Sequence, residues 1–139
     1  MSSRFQSSLD IVTENDVRRA RKHARTIAHR GGLGEREEVR LTTIVSELTR
    51  NILKYAGQGT CEFELQHIGG RILVRCTCRD QGPGIADVDA AMTDGYSTGA
   101  TLGVGLPGVK RLADYFHIET GDQGTVVAIE LDMHGNPHV

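Results

Sequence analysis

The chain has 139 residues, enough for one hydrophobic core and too few for two ordinary domains, so a single domain over 1–139 is expected. A formal charge of -2 gives no general pull toward a polyanion and an aromatic share of 4% supplies few base-stacking platforms, which argues against a general nucleic-acid binder and favours protein partners. No run of about 18 apolar residues is present, and the opening MSSRFQSSLDIV lacks the charged-then-apolar layout of a secretion signal, so no membrane association and a cytoplasmic location are expected.

In chain order, Ser8 to Val12 reads as an edge strand. Asn15 or Asp16 then caps a helix in which Val17, Ala20, Ala24, Ile27 and Ala28 recur at helical spacing until Gly31-Gly32. A second helix is predicted from about Glu35 to Ala56, its apolar stripe formed by Leu41, Ile44, Val45, Leu48, Ile52 and Tyr55. Thr60 to Ile68 and Arg71 to Arg79 alternate in polarity around Gly69-Gly70 and read as a hairpin. A turn at Asp80 to Ile85 and a short helix near Ala86 to Met92 lead into an irregular loop from Thr93 to Gly103. A helix from about Val104 to Tyr115 precedes strands at His117 to Glu119 and Thr125 to Asp132. Runs of helices and hairpins, without strict alternation, predict an α+β fold with helices packed on one face of a mixed or antiparallel sheet.

Cys76 and Cys78 are two apart in an alternating segment and share one sheet face, so reduced core thiols are expected. The six histidines are scattered and supply no metal-ligand spacing.

Three segments carry candidate chemistry. Glu47, Asn51 and Lys54 are four and three residues apart and fall in one row at the border of the apolar stripe, where a ligand could press against them. Alone, such a row reads first as a solvated flank; yet Asn is a poor interior helix former, which calls for a reason outside the helix. Asp80-Gln81-Gly82-Pro83-Gly84-Ile85 puts a carboxylate at a strand end before a tight turn, able to accept from an exocyclic amine such as adenine's, or forming merely a turn. From Asp94 to Arg111 a glycine-rich stretch runs into a helix start, whose free N–H groups and dipole suit phosphate oxygens, with Lys110 or Arg111 adding charge. It has neither the Walker order nor a preceding strand for a dinucleotide fingerprint.

Taken together, Glu47-Leu-Thr-Arg-Asn51, Asp80-Gln-Gly-Pro-Gly84 and Gly103-Val-Gly105-Leu-Pro-Gly108 resemble the N, G1 and G2 boxes of the GHKL ATPase superfamily of gyrase, chaperone, mismatch-repair and histidine-kinase ATP domains. The strings SELTRNILKYAG, DQGPGI, DGYST and LGVGLPGVKRL most resemble its RsbT-type switch kinases. The resemblance covers nearly the whole chain. It implies a two-layer α/β sandwich (the Bergerat ATP-binding fold), ATP with Mg2+, and phosphorylation of serine or threonine on STAS-domain antagonist proteins of a stress-response partner-switching module, or stressosome. It further implies binding and activation of a downstream output enzyme, often a phosphatase, after release.

By the same resemblance Asn51 would ligate Mg2+, and Glu47 would accept or orient the proton of the attacking hydroxyl. Asp80 would read adenine, with Gly82, Gly84 and Ile85 approaching the base and Thr125 supporting the contact. Thr98, Gly99, Gly103, Val104, Gly105 and Leu106 would wrap the phosphates, and Thr93 to Leu102 would form a short ATP lid. Lys54 would meet a phosphate or form a structural salt bridge. Anti-sigma factor kinase, plain ATPase and non-catalytic nucleotide-gated adaptor remain as alternatives. Arg18, Arg19, Arg21, Lys22, Arg25 and Arg30 make the first helix basic, either as a solvated face or as a docking face for an acidic partner.

Overall fold

The computed structural model describes residues 2–92 and 105–134, so the expected lid and the expected contacts of Thr98, Gly99, Gly103 and Val104 lie outside the described residues. Its elements are β1 (Ser2–Ile11), α1 (Glu14–Arg30), α2 (Glu35–Tyr55), β2 (Gly59–Ile68), β3 (Arg71–Asp80), α3 (Val88–Ala91), α4 (Gly105–Leu112), β4 (Tyr115–Gly121) and β5 (Gly124–His134). The five strands form one sheet in the order β1-β2-β3-β5-β4, every neighbouring pair antiparallel.

Period-two alternation sorts the sheet into two faces. Cys61, Phe63 and Leu65 of β2, Val74, Cys76 and Cys78 of β3, and Val127, Ile129 and Leu131 of β5 are buried beneath the helices. A fully buried side chain of this size contributes roughly 1.5–3 kcal/mol, so this shared face dominates the stability of the sandwich. The opposite face is a lattice of ion pairs. Arg4 donates to Glu64 at 2.8 Å, Arg79 to Glu62 at 2.9 Å and Arg75 to Glu130 at 2.5 Å, while Arg71 pairs with Asp132. Pairs this exposed stabilise weakly, roughly 0–1 kcal/mol each, and serve mainly to keep the face wet.

The helical stripes are buried where their spacing predicts, including Val17, Ala20, Ala24, Ile27 and Ala28 of α1. α1 begins earlier than its predicted cap: Thr13 is the N-cap, and Asp16 Oδ2 accepts the N–H groups of Val12 at 2.9 Å and Thr13 at 3.0 Å. Those bonds hold the Asp16 carboxyl below its ordinary pKa. α2 packs on α1 along one side and on α4 along the other, so Ser46, Glu47, Leu48 and Thr49 are all buried in succession. Among the described residues no helix is long and apolar enough to cross a membrane.

β1 is longer than the predicted Ser8 to Val12. It pairs with β2 along its full length, from Ser2 opposite Ile68 to Ile11 opposite Gly59. The expectation of reduced thiols fails for two of the three cysteines. The β2–β3 register sets Cys61 opposite Cys78 with Cα atoms 4.3 Å apart, and the two form a disulfide. Cys76 is the remaining free thiol, buried, with its pKa pushed up to about 12 by desolvation.

Candidate nucleotide site

The sheet register gathers the site at one end of the molecule. Asp80 is the last residue of β3 and stands opposite Gly59 of β2 on one side and Thr125 of β5 on the other. Its Oδ1 accepts the N–H of Gly82 at 3.0 Å and the N–H of Thr125 at 3.2 Å. The hydroxyl of the buried Thr125 lies 2.7 Å from that of Thr120, and Thr120 Oγ1 in turn accepts the N–H of Ile85 at 2.9 Å. A chain of polar contacts therefore runs from the carboxylate through two threonines to the far end of the 81–85 turn and fixes its shape.

That turn fits only without side chains at two points. Gly84 has φ of +84°, and a Cβ there would meet the carbonyl oxygen of Gly121 in the β4–β5 turn. A Cβ on Gly82 would sit 2.6 Å from the Cβ of Ala56, at the C-terminal end of α2. The turn is thus wedged between α2 and the last hairpin, at the edge of the space between them.

That space is a hollow walled by Leu48, Asn51, Ile52 and Tyr55 of α2, Cys78 and Asp80 of β3, Thr125 and Val127 of β5, Ile85 of the turn, and Leu106 of α4. Its enclosed part has room for about one water molecule, so a flat ring entering it displaces side chains at the mouth. The walls are apolar apart from Asp80, Asn51, Thr125 and the Tyr55 hydroxyl, a lining suited to one face of a heterocycle with a few polar groups setting its orientation.

Asn51 supplies the sharpest signal of a missing partner. Its Nδ2 is buried and has no hydrogen-bond partner among the described residues. A buried amide left unpaired costs about 1–3 kcal/mol, and such groups concentrate where a ligand completes them. With nitrogen and oxygen exchanged about χ2, the same amide presents an oxygen to a hard cation; as it stands, it donates to an anionic oxygen. The residue therefore fits a metal-bound phosphate.

The other expected site residues fall around this centre. Glu47, one turn before Asn51 on α2, is 7% exposed and lies 3.5 Å from the Arg50 guanidinium; it does not wall the hollow. Lys54 is exposed, with its ammonium 5.2 Å from the Tyr55 ring centroid, and also stays outside the hollow. Gly105, with φ of +67°, opens α4, and Leu106 beside it reaches the hollow. Among the described residues no group of three or more His, Cys, Asp or Glu side chains is arranged to hold a metal ion. Sequence reasoning missed Thr120, which is legible only once β4 and β5 are paired and Thr120 stands opposite Thr125.

Residues 12–131 match the family described as the histidine kinase-like ATPase domain. Over 123 residues, 88% of the chain and 92% of the relative, the sequence is 43% identical to the serine/threonine-protein kinase RsbT of Bacillus subtilis. Among solved structures, the RsbU and RsbW domains of a Mycobacterium tuberculosis protein superpose with a TM-score of 0.63 at 17% identity, covering 94% of this chain and 34% of that one. The chain thus spans about a third of that structure. The Acinetobacter baumannii histidine kinase AdeS superposes with a TM-score of 0.51 at 14% identity, over 91% of this chain and 68% of that one. At those identities the two structures speak for the fold alone.

Proposed function

Because the chain belongs to the histidine kinase-like ATPase family, we propose that it is a serine/threonine protein kinase that transfers the γ-phosphate of ATP to a hydroxyl on a partner protein. The observation that carries this reading is the orphaned Asn51 amide in the same hollow as the clamped Asp80 carboxylate. In it, Asp80 accepts the exocyclic amine of adenine through Oδ2, because Oδ1 is engaged by two backbone donors. Leu48, Ile52, Ile85 and Val127 cover the ring. The start of α4 at Gly105 and Leu106 supplies N–H groups for the phosphates, and the resemblance assigns Thr98, Gly99, Gly103 and Val104 to the same role.

Asn51 would hold Mg2+, which would supply charge neutralisation to the phosphates. The acceptor hydroxyl oxygen forms a bond to the γ-phosphorus as the bond to the ADP oxygen breaks, and the hydroxyl proton passes to Glu47. Phosphoryl transfer needs mainly positioning and charge stabilisation, and this small set of groups suffices for both. We assign STAS-domain antagonist or scaffold proteins of a stress-response partner-switching module as acceptors, a phosphatase-like output enzyme as the partner bound after release, and the cytoplasm as the location. The strings shared with RsbT-type kinases support this assignment.

The test is transfer of labelled γ-phosphate from Mg·ATP to a STAS-domain protein encoded near this one, with Glu47→Ala as control. Label on serine or threonine that vanishes in the variant supports the kinase reading with Glu47 as base. Nucleotide binding without transfer by the unaltered protein moves the reading to a nucleotide-gated adaptor.

A further inference from the structure

Four cations of α1 lie in one stripe along the helix. Successive helix residues turn by about 100°, so Arg18, Arg21, Lys22 and Arg25 fall within an arc of roughly 100° and span roughly 10 Å along the axis. Arg18, Lys22 and Arg25 are exposed and Arg21 is half-buried. None of the four has a carboxylate within ion-pair distance among the described residues. Several other cations do have such partners: the four arginines of the open sheet face each have one, Arg19 on the same helix has Asp16, and Arg40 has both Glu37 and Asp114. The acidic residues of α1, Glu14 and Asp16, stay in its first turn. Like charges three and four residues apart repel and weaken a helix. The stripe is therefore a local excess of positive charge.

The shape of the stripe narrows the occupant. It is straight, one helix wide and repeats once per turn, which matches carboxylates at i, i+3 or i+4, and i+7 on a second helix lying alongside. A bilayer surface is disfavoured, because interfacial basic helices also bury an apolar face in lipid, and the apolar face of α1 is already in the core. A nucleic acid is disfavoured by the formal charge of -2 on the whole chain. α1 also starts from the end of the sheet that carries the site. β1 ends at Ile11, which the register places in one row with Gly59, Asp80 and Thr125, and α1 begins three residues later.

We propose that this stripe is the docking surface for an acidic helical segment of the phosphoacceptor protein, so that binding energy gathered on α1 positions the acceptor hydroxyl at the site beyond α2. This rests on the kinase reading above. The testing variant is Lys22→Glu combined with Arg25→Glu, both exposed and both outside the nucleotide site. In the transfer assay the KM for the STAS-domain acceptor should rise about tenfold or more, with the KM for ATP and the turnover at saturating acceptor unchanged. A second arm titrates the protein with an alanine-based helical peptide carrying glutamates at i, i+4 and i+7, and with its glutamine counterpart. The glutamate peptide should bind in a salt-sensitive way and lose about tenfold in affinity on the variant; the glutamine peptide should not bind.

An unchanged acceptor KM together with unchanged peptide affinity overturns the proposal. So does tighter binding of the unaltered protein to phosphatidylserine vesicles or to duplex DNA than to the peptide, and so does a dimer of this chain that the variant dissolves. If the unaltered protein transfers no phosphate, the kinase reading fails, and the peptide titration decides the docking surface on its own.

Discussion

The backbone N–H of Thr125 donates to Asp80 Oδ1 at 3.2 Å across the last rung of the β3–β5 ladder, tying the proposed adenine-reading carboxylate to the strand that would lie behind the base. Asp80→Asn preserves the side chain's shape but replaces one acceptor oxygen by a donor. The expected result is a fall in ATP affinity of about tenfold or more, equivalent to roughly 1.4 kcal/mol, in a protein that remains folded. Calorimetric titration checks it, and an unaltered affinity would remove Asp80 from the base contact.

Asn51 tests the phosphate end. Its buried Nδ2 has no partner among the described residues, so Asn51→Ala should abolish Mg-dependent nucleotide binding while leaving thermal stability within a few degrees of the parent. Melting curves with and without Mg·ATP separate the two effects. A large loss of stability without nucleotide would mean that the amide is paired within the fold, and unchanged affinity would sink the metal assignment.

The Cys61–Cys78 bridge closes a segment between residues 17 apart. By loop-closure entropy, a link of this span stabilises by about 3 kcal/mol, which for a chain of this length is a melting shift of roughly 10 °C. Adding dithiothreitol should lower the melting temperature by that order in the parent protein and leave Cys61→Ser unmoved. Equal curves for the parent with and without reductant would contradict a bridge in solution.

His23 sets a pH dependence. Its Nε2 lies 2.6 Å from the Ser7 hydroxyl, its ring meets Phe63 edge-on with centroids 4.9 Å apart, and burial lowers its pKa from the ordinary 6.5. The unfolded chain then binds a proton near pH 6.5 that the folded one resists, so stability should decline as pH falls below that value. His23→Gln should flatten this window in denaturant titrations at pH 7.5 and 5.5. Glu64, held below its ordinary 4.5 chiefly by its hydrogen bond to Arg4, acts separately: its contribution is lost only as pH drops beneath 4.5.

Legibility tracked how local each determinant is. The stripe Val17, Ala20, Ala24, Ile27 and the alternation of β2 and β3 depend on neighbours a turn or a pleat away, and they are buried as the spacing predicts. Asn51 is legible as a polar residue inside a strong helix and Asp80 as a carboxylate at a strand end before a tight turn, and both line the hollow. The first half of β1 was obscured because an edge strand needs an apolar side chain only at every second position, and its other positions are Ser, Arg and Gln. The disulfide was within reach. Once Gly69-Gly70 is taken as the turn, equal counting along both strands pairs Cys61 with Cys78, but adjacency in sequence drew attention to Cys76 and Cys78. Thr120 needed the pairing of β4 with β5, and nothing in its own neighbourhood announces a role.

The burial of Ser46, Glu47, Leu48 and Thr49 in succession divides the site by stiffness. α2 is walled by α1, the sheet and α4, so it gives way only when the whole sandwich opens, and its amides belong to the slowest-exchanging class. The facing wall is a turn and the first residues of an eight-residue helix, held by a short thread of hydroxyl contacts. A nucleotide therefore meets a stiff wall carrying Asn51 and, opposite it, a wall held by fewer contacts. Substitutions on the two walls should then have different signatures, those on the yielding side altering how fast ligand comes and goes, and those on α2 altering what happens to it once held.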